Sequence, residues 1–561
     1  MAGGGRQVPP RPPRTSRYPP SGRDSVSLQG VGGEPHGRRP PLSSLPVLDR
    51  ALVASPEFQS RRDVGAPPVA LLDLPEKVVQ FGTGGFLRGF VEYFIDAANR
   101  SGDFGGRIVM VGSTGSGRDS AVNEQDGLYT LLTRGIEGGV AREEYRIIGS
   151  VSRALSAATQ WADVLALARD PDLELVFSNT TEVGIVLDDG DAPDASPPRS
   201  FPGKLTRFLY ERARAFDFDP DRGVVVVPCE LITDNGDRLR EIVLELARRW
   251  SLEPEFARWV GEAVPFCNTL VDRIVPPVSS AEVERITGRL GYADAMLTVC
   301  EPYRLFAIQA DAATAARLRF AAADPGVVLT EDVTPYRERK VRVLNGAHTL
   351  MVPAALLAGC ETVREAVTHP AIGEFARRAV YDEILPTLNV PGAAEFADAV
   401  FERFANPHIR HELFDITLQG TMKVRVRLVP SIIGYARRFG RPPEALAFGF
   451  AAYLLFMRGE LHQRRAELGG SVPPDDSGQR VRDLWRNFRN PDDAGLARLA
   501  RTACADVELW GTDLAAIPGF ADAVGGWLAR MYRAGVDAPL QTLLSRPRAT
   551  PSPAPAQTVG T

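Results

Sequence analysis

Cysteine is scarce in this chain. Five residues among 561, Cys229, Cys267, Cys300, Cys360 and Cys504, are scattered with no Cys-x-x-Cys pair. That pattern excludes a disulfide framework and a structural zinc site, and fits reduced thiols. Long apolar runs are lacking as well: the longest, Ala445 to Met457, is too short to cross a bilayer and reads as a buried helix. No apolar stretch follows the first arginines, so no signal peptide and no membrane partner are expected, and the expected location is cytoplasmic. Histidine is rare, six in all; His408 and His411 are three apart but have no third ligand at a helpful spacing, so no metal is expected. Neither a Gly-x-Ser-x-Gly nor a His-Glu-x-x-His motif occurs. Excess positive charge is absent too. The net charge is −5, and the first 45 residues hold seven Arg against Asp24 and Glu34, so the remainder is more acidic still. This argues against a nucleic-acid partner.

What is present is ordinary globular composition, 44% hydrophobic and 24% charged. The length exceeds what one hydrophobic core serves, so two folded domains are expected. Residues 1–45, with nine Pro and eight Gly, bury too little apolar surface to offset their ordering entropy and read as a disordered tail, as do residues 546–561. Strands are expected at Lys77–Phe81, Arg107–Gly112, Tyr145–Ser150, Leu173–Ser178, Val183–Leu187 and Val224–Pro228. Helical spacing marks Phe86–Asn99, Ala154–Arg169, Lys204–Ala215 and Arg238–Trp250. Strands alternating with helices predict a parallel sheet covered by helices. Beyond about Asp332 only helical patterns remain. The expectation is a Rossmann-like dinucleotide-binding α/β domain over 70–330, followed by an all-α domain over 331–545.

Gly82-Thr83-Gly84 stands between the first strand and the first helix. Glycine lets the backbone turn sharply and approach a pyrophosphate at a helix N-terminus. Gly82, Gly84 and the adjacent Phe86 are therefore candidate cofactor residues. The third small residue of the fingerprint is replaced by Leu87. The acidic residue that usually holds the adenine ribose is missing at the end of the second strand, where Ser113 and Thr114 are candidate ribose ligands. Arg118 is positioned to meet a 2′-phosphate, which leaves NADP open beside NAD. Asn179 ends a later strand, where ligands bind in open α/β sheets.

Titratable and polar groups concentrate in Tyr336–His348. If this stretch is helical, Asn345 and His348 share a face and Lys340 lies roughly 80° around from His348. Like charges at Arg337, Arg339 and Arg342 would favour proton release from the lysine, and a lysine near neutrality shuttles protons. The residues alone leave open a plain basic helix face.

These stretches, with Val264–Pro276 and its Val271-Asp272-Arg273 core, resemble the mannitol dehydrogenase family of long-chain, metal-independent polyol dehydrogenases. Further stretches, Asn123–Tyr129 and Pro228–Gly236, are similar to the members that interconvert tagaturonate and altronate. The resemblance runs from about residue 75 to 545. It implies an NAD-dependent oxidoreductase acting on a hexuronate or aldonate, with fructuronate reduction and sugar-alcohol oxidation as alternatives. It implies Lys340 as general acid/base, Asn345 and Asn235 as donors to the reacting oxygen, and His348 as a substrate-hydroxyl ligand. Asp272, Lys423 and Arg427 are implied in substrate binding. Three positions depart from the mannitol-oxidising members: Asp415 replaces an arginine, Leu231 an asparagine and Arg337 a glutamate. With Lys423 and Arg425, Arg337 and Arg427 add positive charge for a substrate carboxylate. A non-catalytic dinucleotide-binding protein is the other class; retention of Lys340, Asn345 and His348 together speaks against it. Monomer and dimer both remain open.

Overall fold

The computed structural model describes residues 45–113, 118–180, 184–460, 475–488 and 491–548. Thr114, the side chain of Arg118 and most of both expected tails lie outside the described residues.

The α/β part holds eleven described strands: β1 (Glu76–Phe81), β2 (Arg107–Gly112), β3 (Tyr129–Glu137), β4 (Val140–Ile148), β5 (Val151–Ser156), β6 (Leu175–Ser178), β7 (Val225–Pro228), β8 (Thr269–Asp272), β9 (Thr298–Cys300), β10 (Leu305–Gln309) and β11 (Val327–Thr330). Five form a parallel sheet in the order β5-β2-β1-β6-β7. Its strands are buried on both faces, as a helix-covered parallel sheet requires. Val78, Ile108, Met110 and Phe177 pack on one side with the helix Val91–Ser101. Val79, Phe81, Val109 and Val111 pack on the other with the helix Phe201–Ala215. The chain steps from β1 to β2 to β5 in one direction and from β6 to β7 in the other. This reversal opens a crevice at the C-terminal ends of β1 and β6, the place where open α/β sheets bind ligands.

Several elements differ from the sequence expectation. Residues 154–156, expected to open a helix, belong instead to β5, which completes the sheet edge beside β2; of the expected helix only Trp161–Leu167 forms. The strand expected over 183–187 does not form in its described part, 184–187. β6 already pairs with β1 and β7, which leaves it no partner. The first helix breaks into Gly85–Arg88 and Val91–Ser101, where the Val275 side chain presses against Gly89. β3 carried no expectation; it pairs with β4 and β9 in a small mixed sheet. Residues 45–69 are part of the folded body: Leu48, Val53, Phe58 and Val64 pack against Leu132, Tyr145 and Ile147 of that sheet. At the other end Arg378 donates to the carbonyls of Arg546 and Pro547 at 3.0 and 3.1 Å, so the order extends past the expected boundary.

After β11 the described chain is helical. The helix Glu444–Phe456 is apolar all round and buried between Gly346–Leu357 and Phe520–Ala534. Among the described residues, no helix is long and apolar enough to cross a membrane. One helix, Ala393–Phe404, reaches back to the α/β part, where Glu402 accepts from the backbone N–H groups of Gly138 and Gly139 at the β3–β4 turn.

Candidate active site

The crevice is built from glycine and short polar side chains. Gly82 has φ +125°, and a Cβ there would come within 3.0 Å of the Asn179 carbonyl oxygen. Only glycine adopts that conformation freely in so close a contact. Gly84 faces open space, and Phe86 lines the crevice wall while stacking on Phe90. The Asn179 amide donates to the Cys229 carbonyl at 2.7 Å, which ties the end of β6 to the end of β7. Glu230, unremarked in the sequence, accepts from Ser178 Oγ and from Thr180 N and Oγ1. Burial raises its pKa, against those hydrogen bonds. Ser113 is exposed at the end of β2. The Asp119 carboxyl packs on Gly112, with Oδ1 buried and without a partner among the described residues. An acid thus stands near the end of the second strand although none lies there in sequence.

The helix that carries Lys340 is not regular. Residues 334–339 are α-helical, Lys340–Asn345 widen into a π-helical turn, and Gly346–Leu357 resume the α-helix. In an α-helix, residues five apart differ by about 140° around the axis. Hydrogen bonds running i to i+5 bring such residues over one another. Lys340 and Asn345 accordingly line the same cavity. Lys340 is therefore brought together with Asn345 and not, as the α-helical spacing suggested, with His348. Arg339 and Arg342 turn away from Lys340, and Arg337, which lines a cavity with it, is paired elsewhere. Arg337 pairs with Asp234 at 3.1 Å, Arg339 covers Phe396, and Arg342 donates to Ser431 at 3.1 Å. Lys340 Nζ instead donates to the Val271 carbonyl at 2.7 Å and lies 3.6 Å from Asp272 Oδ1.

Lys340 stands where two lobes of one cleft meet. The first, about 620 Å³, is lined by Phe86 and Asn179 of the crevice together with Asp272. The second, about 740 Å³, is lined by Arg337, Asn345 and Arg427 of the helical part. Glu230, Leu231 and Lys340 border both. Arg427 ends the helix Gly420–Arg427 and turns inward. It donates to Thr349 Oγ1 at 3.1 Å and has no carboxylate within ion-pair distance among the described residues. Burial lowers its pKa to about 10.

Asp272 is held from the helical part. Arg403 donates to Asp272 Oδ1 and Oδ2 at 2.9 and 3.0 Å and to Glu301 Oε1 and Oε2 at 2.8 and 2.9 Å. Burial works against ionisation of Asp272, but the charges of Arg403 and Lys340 outweigh it and keep its pKa below the usual carboxylate range. Burial wins at Glu301, whose pKa is raised.

Three expected site residues stand elsewhere. Asn235 is fully buried and its amide is used up within the protein. Its Nδ2 donates to the carbonyls of Pro228 and Glu230 and to Thr269 Oγ1, and its Oδ1 accepts from Gly236 N and Thr269 N. No donor is left for a substrate oxygen. His348 stacks on Phe404 at 4.0 Å, edge-on to His411 at 5.3 Å, in a separate cavity bounded by Arg403. Burial, then the charge of its neighbours, holds it neutral, and its Nε2 has no partner. Lys423 donates to the Ile416 carbonyl at 2.9 Å and lines an apolar cavity with Thr349, Tyr453 and Met457. The Arg427–Thr349 hydrogen bond joins that cavity to the second lobe. Among the described residues, no group of three or more His, Cys, Asp or Glu is arranged to hold a metal ion.

Sequence models of the mannitol dehydrogenase Rossmann domain and the mannitol dehydrogenase C-terminal domain match residues 76–322 and 332–532. The chain belongs to the mannitol dehydrogenase family. Within it, the chain is 42% identical to the altronate oxidoreductase of Bacillus subtilis (strain 168), over 83% of this chain and 95% of the relative. Identity to the altronate oxidoreductase of Pectobacterium carotovorum is 41%, over 83% of this chain and 96% of the relative. Among solved structures, the Pseudomonas fluorescens mannitol 2-dehydrogenase ternary complex with NAD and D-mannitol matches with TM-score 0.64 and 26% identity, over 89% of this chain and all of that one. A substrate-free D-sorbitol dehydrogenase shares the fold, with TM-score 0.70 and 23% identity over 88% of this chain and all of that one. The family's two-part architecture, a Rossmann domain followed by a helical domain, is the one described above.

The saturated amide of Asn235 predicts a structural role. Asn235→Ala should lower stability by about 1–3 kcal/mol, because it strands buried backbone groups, and leave kcat per folded molecule unchanged. Thermal unfolding together with active-site titration reads both. A stable variant with lost kcat would return Asn235 to the reacting oxygen.

Proposed function

We propose that this chain is an NAD-dependent oxidoreductase that interconverts tagaturonate and altronate, with Lys340 as the general acid/base. One observation carries the reading: Lys340 stands at the junction of a lobe lined by Phe86 and Asn179 of the crevice and a lobe lined by Asn345 and by Arg427, which has no carboxylate partner among the described residues. The altronate oxidoreductases at about 40% identity support the substrate. The P. fluorescens mannitol 2-dehydrogenase complex supports the cofactor.

The residues present fit a dinucleotide. Gly82 closes against the Asn179 backbone, and a side chain at Gly84 would project into the crevice. When bound, the nicotinamide supplies the hydride for ketone reduction and takes it up in alcohol oxidation. The chain's own groups manage the oxygen and the rest of the substrate. Lys340 gives a proton to the oxygen as the ketone is reduced and takes it back in the reverse direction. Asn345, on the same wall of the lobe, has a free amide to donate to that oxygen as charge develops on it. Arg427 meets the substrate carboxylate with a charge-assisted hydrogen bond, and Arg337 adds a second cation across the lobe. Leu231, exposed at the border of both lobes, supplies apolar wall and no hydrogen bond. A neutral polyol leaves the Arg427 guanidinium unpaired, which is the physical ground for preferring a sugar acid.

NADH oxidation measured with a panel of keto-hexuronates and neutral ketoses tests the substrate. Tagaturonate should be turned over with the highest kcat/KM, and Arg427→Ala should raise its KM about 10- to 100-fold, the loss of one hydrogen bond to a charge. Preferential turnover of fructose, or an Arg427→Ala enzyme with unchanged KM for the acid, would overturn the acid-substrate reading.

The Asp119 carboxyl beside Gly112 disfavours a 2′-phosphate. NADH should therefore be used in preference to NADPH, and Asp119→Ala should narrow the ratio of the two kcat/KM values. A wild-type preference for NADPH would contradict the cofactor assignment.

A further inference from the structure

The carboxylate next to Lys340 is not free to move. Arg403 grips both oxygens of Asp272 at 2.9 and 3.0 Å, whereas Lys340 Nζ stands 3.6 Å from the nearer of them. An unrestrained lysine–carboxylate pair closes to about 2.8 Å. The close partner of Lys340 is the neutral Val271 carbonyl at 2.7 Å. Arg403 is fixed in turn by Glu301 and by the face of Tyr303, 4.3 Å from its guanidinium carbon. The four groups Lys340, Arg403, Asp272 and Glu301 sum to zero charge when Lys340 is protonated.

We propose that Arg403 is a positioning residue for proton transfer: by occupying Asp272 it keeps that carboxylate from closing on the Lys340 ammonium, and so leaves Lys340 free to lose and regain its proton. The inference rests on the reading of Lys340 as the general acid/base. Without Arg403, the Asp272 carboxylate would be free to close on the Lys340 ammonium and hold its proton in place, while the buried Glu301, whose pKa burial already raises, would take up a proton of its own. The other charged groups near Lys340 are Glu230, Arg273, Arg337 and Arg427 on the cleft walls, and they are the same in every variant considered. His348 and His411, which line the cavity bounded by Arg403, are held toward neutrality by burial.

The sign follows from charge. Oxidation of the alcohol begins with neutral Lys340, so its kcat/KM rises with pH as that lysine loses its proton. Arg403→Gln should move this rise to higher pH by about one unit or more, the effect of an uncompensated charge at contact range. Asp272→Asn should move it to lower pH, and Arg403→Lys should move it little. Displacement of the lysine should also lower kcat about 10- to 100-fold in Arg403→Gln, with the Kd for NADH unchanged. The experiment is the pH profile of NAD reduction by altronate for full-length wild type and the three variants, with thermal unfolding and NADH binding as controls. Opposite displacements for Arg403→Gln and Asp272→Asn support the proposal. If Arg403→Gln does not fold, the direction for Asp272→Asn decides alone. A folded Arg403→Gln enzyme with an unmoved profile would make Arg403 a purely structural clamp and overturn the proposal, as would an unmoved or upward profile for Asp272→Asn. Activity that survives Lys340→Ala would instead refute the reading of Lys340, and no turnover of altronate by wild type would refute the substrate; neither result is confused with failure of the Arg403 inference.

Discussion

A buried guanidinium shared between two carboxylates holds the cleft together. Arg403 comes from the helical part, Asp272 and Glu301 from the α/β part, and all three side chains are almost wholly removed from water. Taking three charges into that environment is unfavourable unless each finds its full set of partners. Here Arg403 makes four short hydrogen bonds, the Glu301 carboxylate also accepts from the Ile274 N–H at 2.6 Å, and the Asp272 carboxylate faces Lys340. Removing one partner from such a network leaves a buried charge uncompensated, which costs about 3–5 kcal/mol. The arrangement therefore fixes the distance between the two walls of the cleft. Lys340, on one wall, is presented to Val271 and Asp272 on the other within that fixed frame.

The same cleft is polarised in charge. The crevice lobe is walled by Phe86, Asn179, Asp272 and Arg273, the buried Glu230 borders both lobes, and the second lobe carries Arg337 and Arg427. Arg337 is balanced at the rim by Asp234. Arg427 has no carboxylate partner among the described residues, and burial already strains its charge. An anionic substrate relieves that strain. Two of the three departures from the mannitol-oxidising members have a common reading on these terms. Leu231 removes a polar group from the border of the lobes, Arg337 adds a cation in place of a carboxylate, and Asp415 belongs to the short helix Leu413–Ile416 outside both lobes.

Much of this was legible in sequence because it follows from local periodicity. The first strand, the Gly82-x-Gly84 turn, the alternation of strands and helices and the apolar helix near Ala445 are all short-range signals. The misassigned pieces depend on distant partners. β5 is a strand because β2 lies beside it, and the segment at 184–187 is not one because β6 is already paired on both sides. The family resemblance implies Asn235 as a donor to the reacting oxygen, but only the approach of Thr269 reveals that its amide is spent. The π-helical turn at Lys340–Asn345 has no sequence signature, yet it decides which side chains share a lobe with Lys340. Arg403 did leave a trace. With Phe396 and Val400 it falls at i, i+4, i+7, so it occupies a position in the apolar stripe of its own helix. A charge in such a stripe asks for a buried partner, and Asp272 is that partner.

The proposed chemistry depends on Lys340. Its most direct measurement is kcat for tagaturonate reduction by Lys340→Ala, taken alongside the Kd for NADH. General acid catalysis contributes about 10²- to 10⁴-fold, so kcat should fall by that factor, with NADH binding unchanged because the crevice is built from other residues. Small primary amines added to the variant should restore part of the rate. A Lys340→Ala enzyme that keeps wild-type kcat on the acid would contradict the assignment of proton transfer to this cleft.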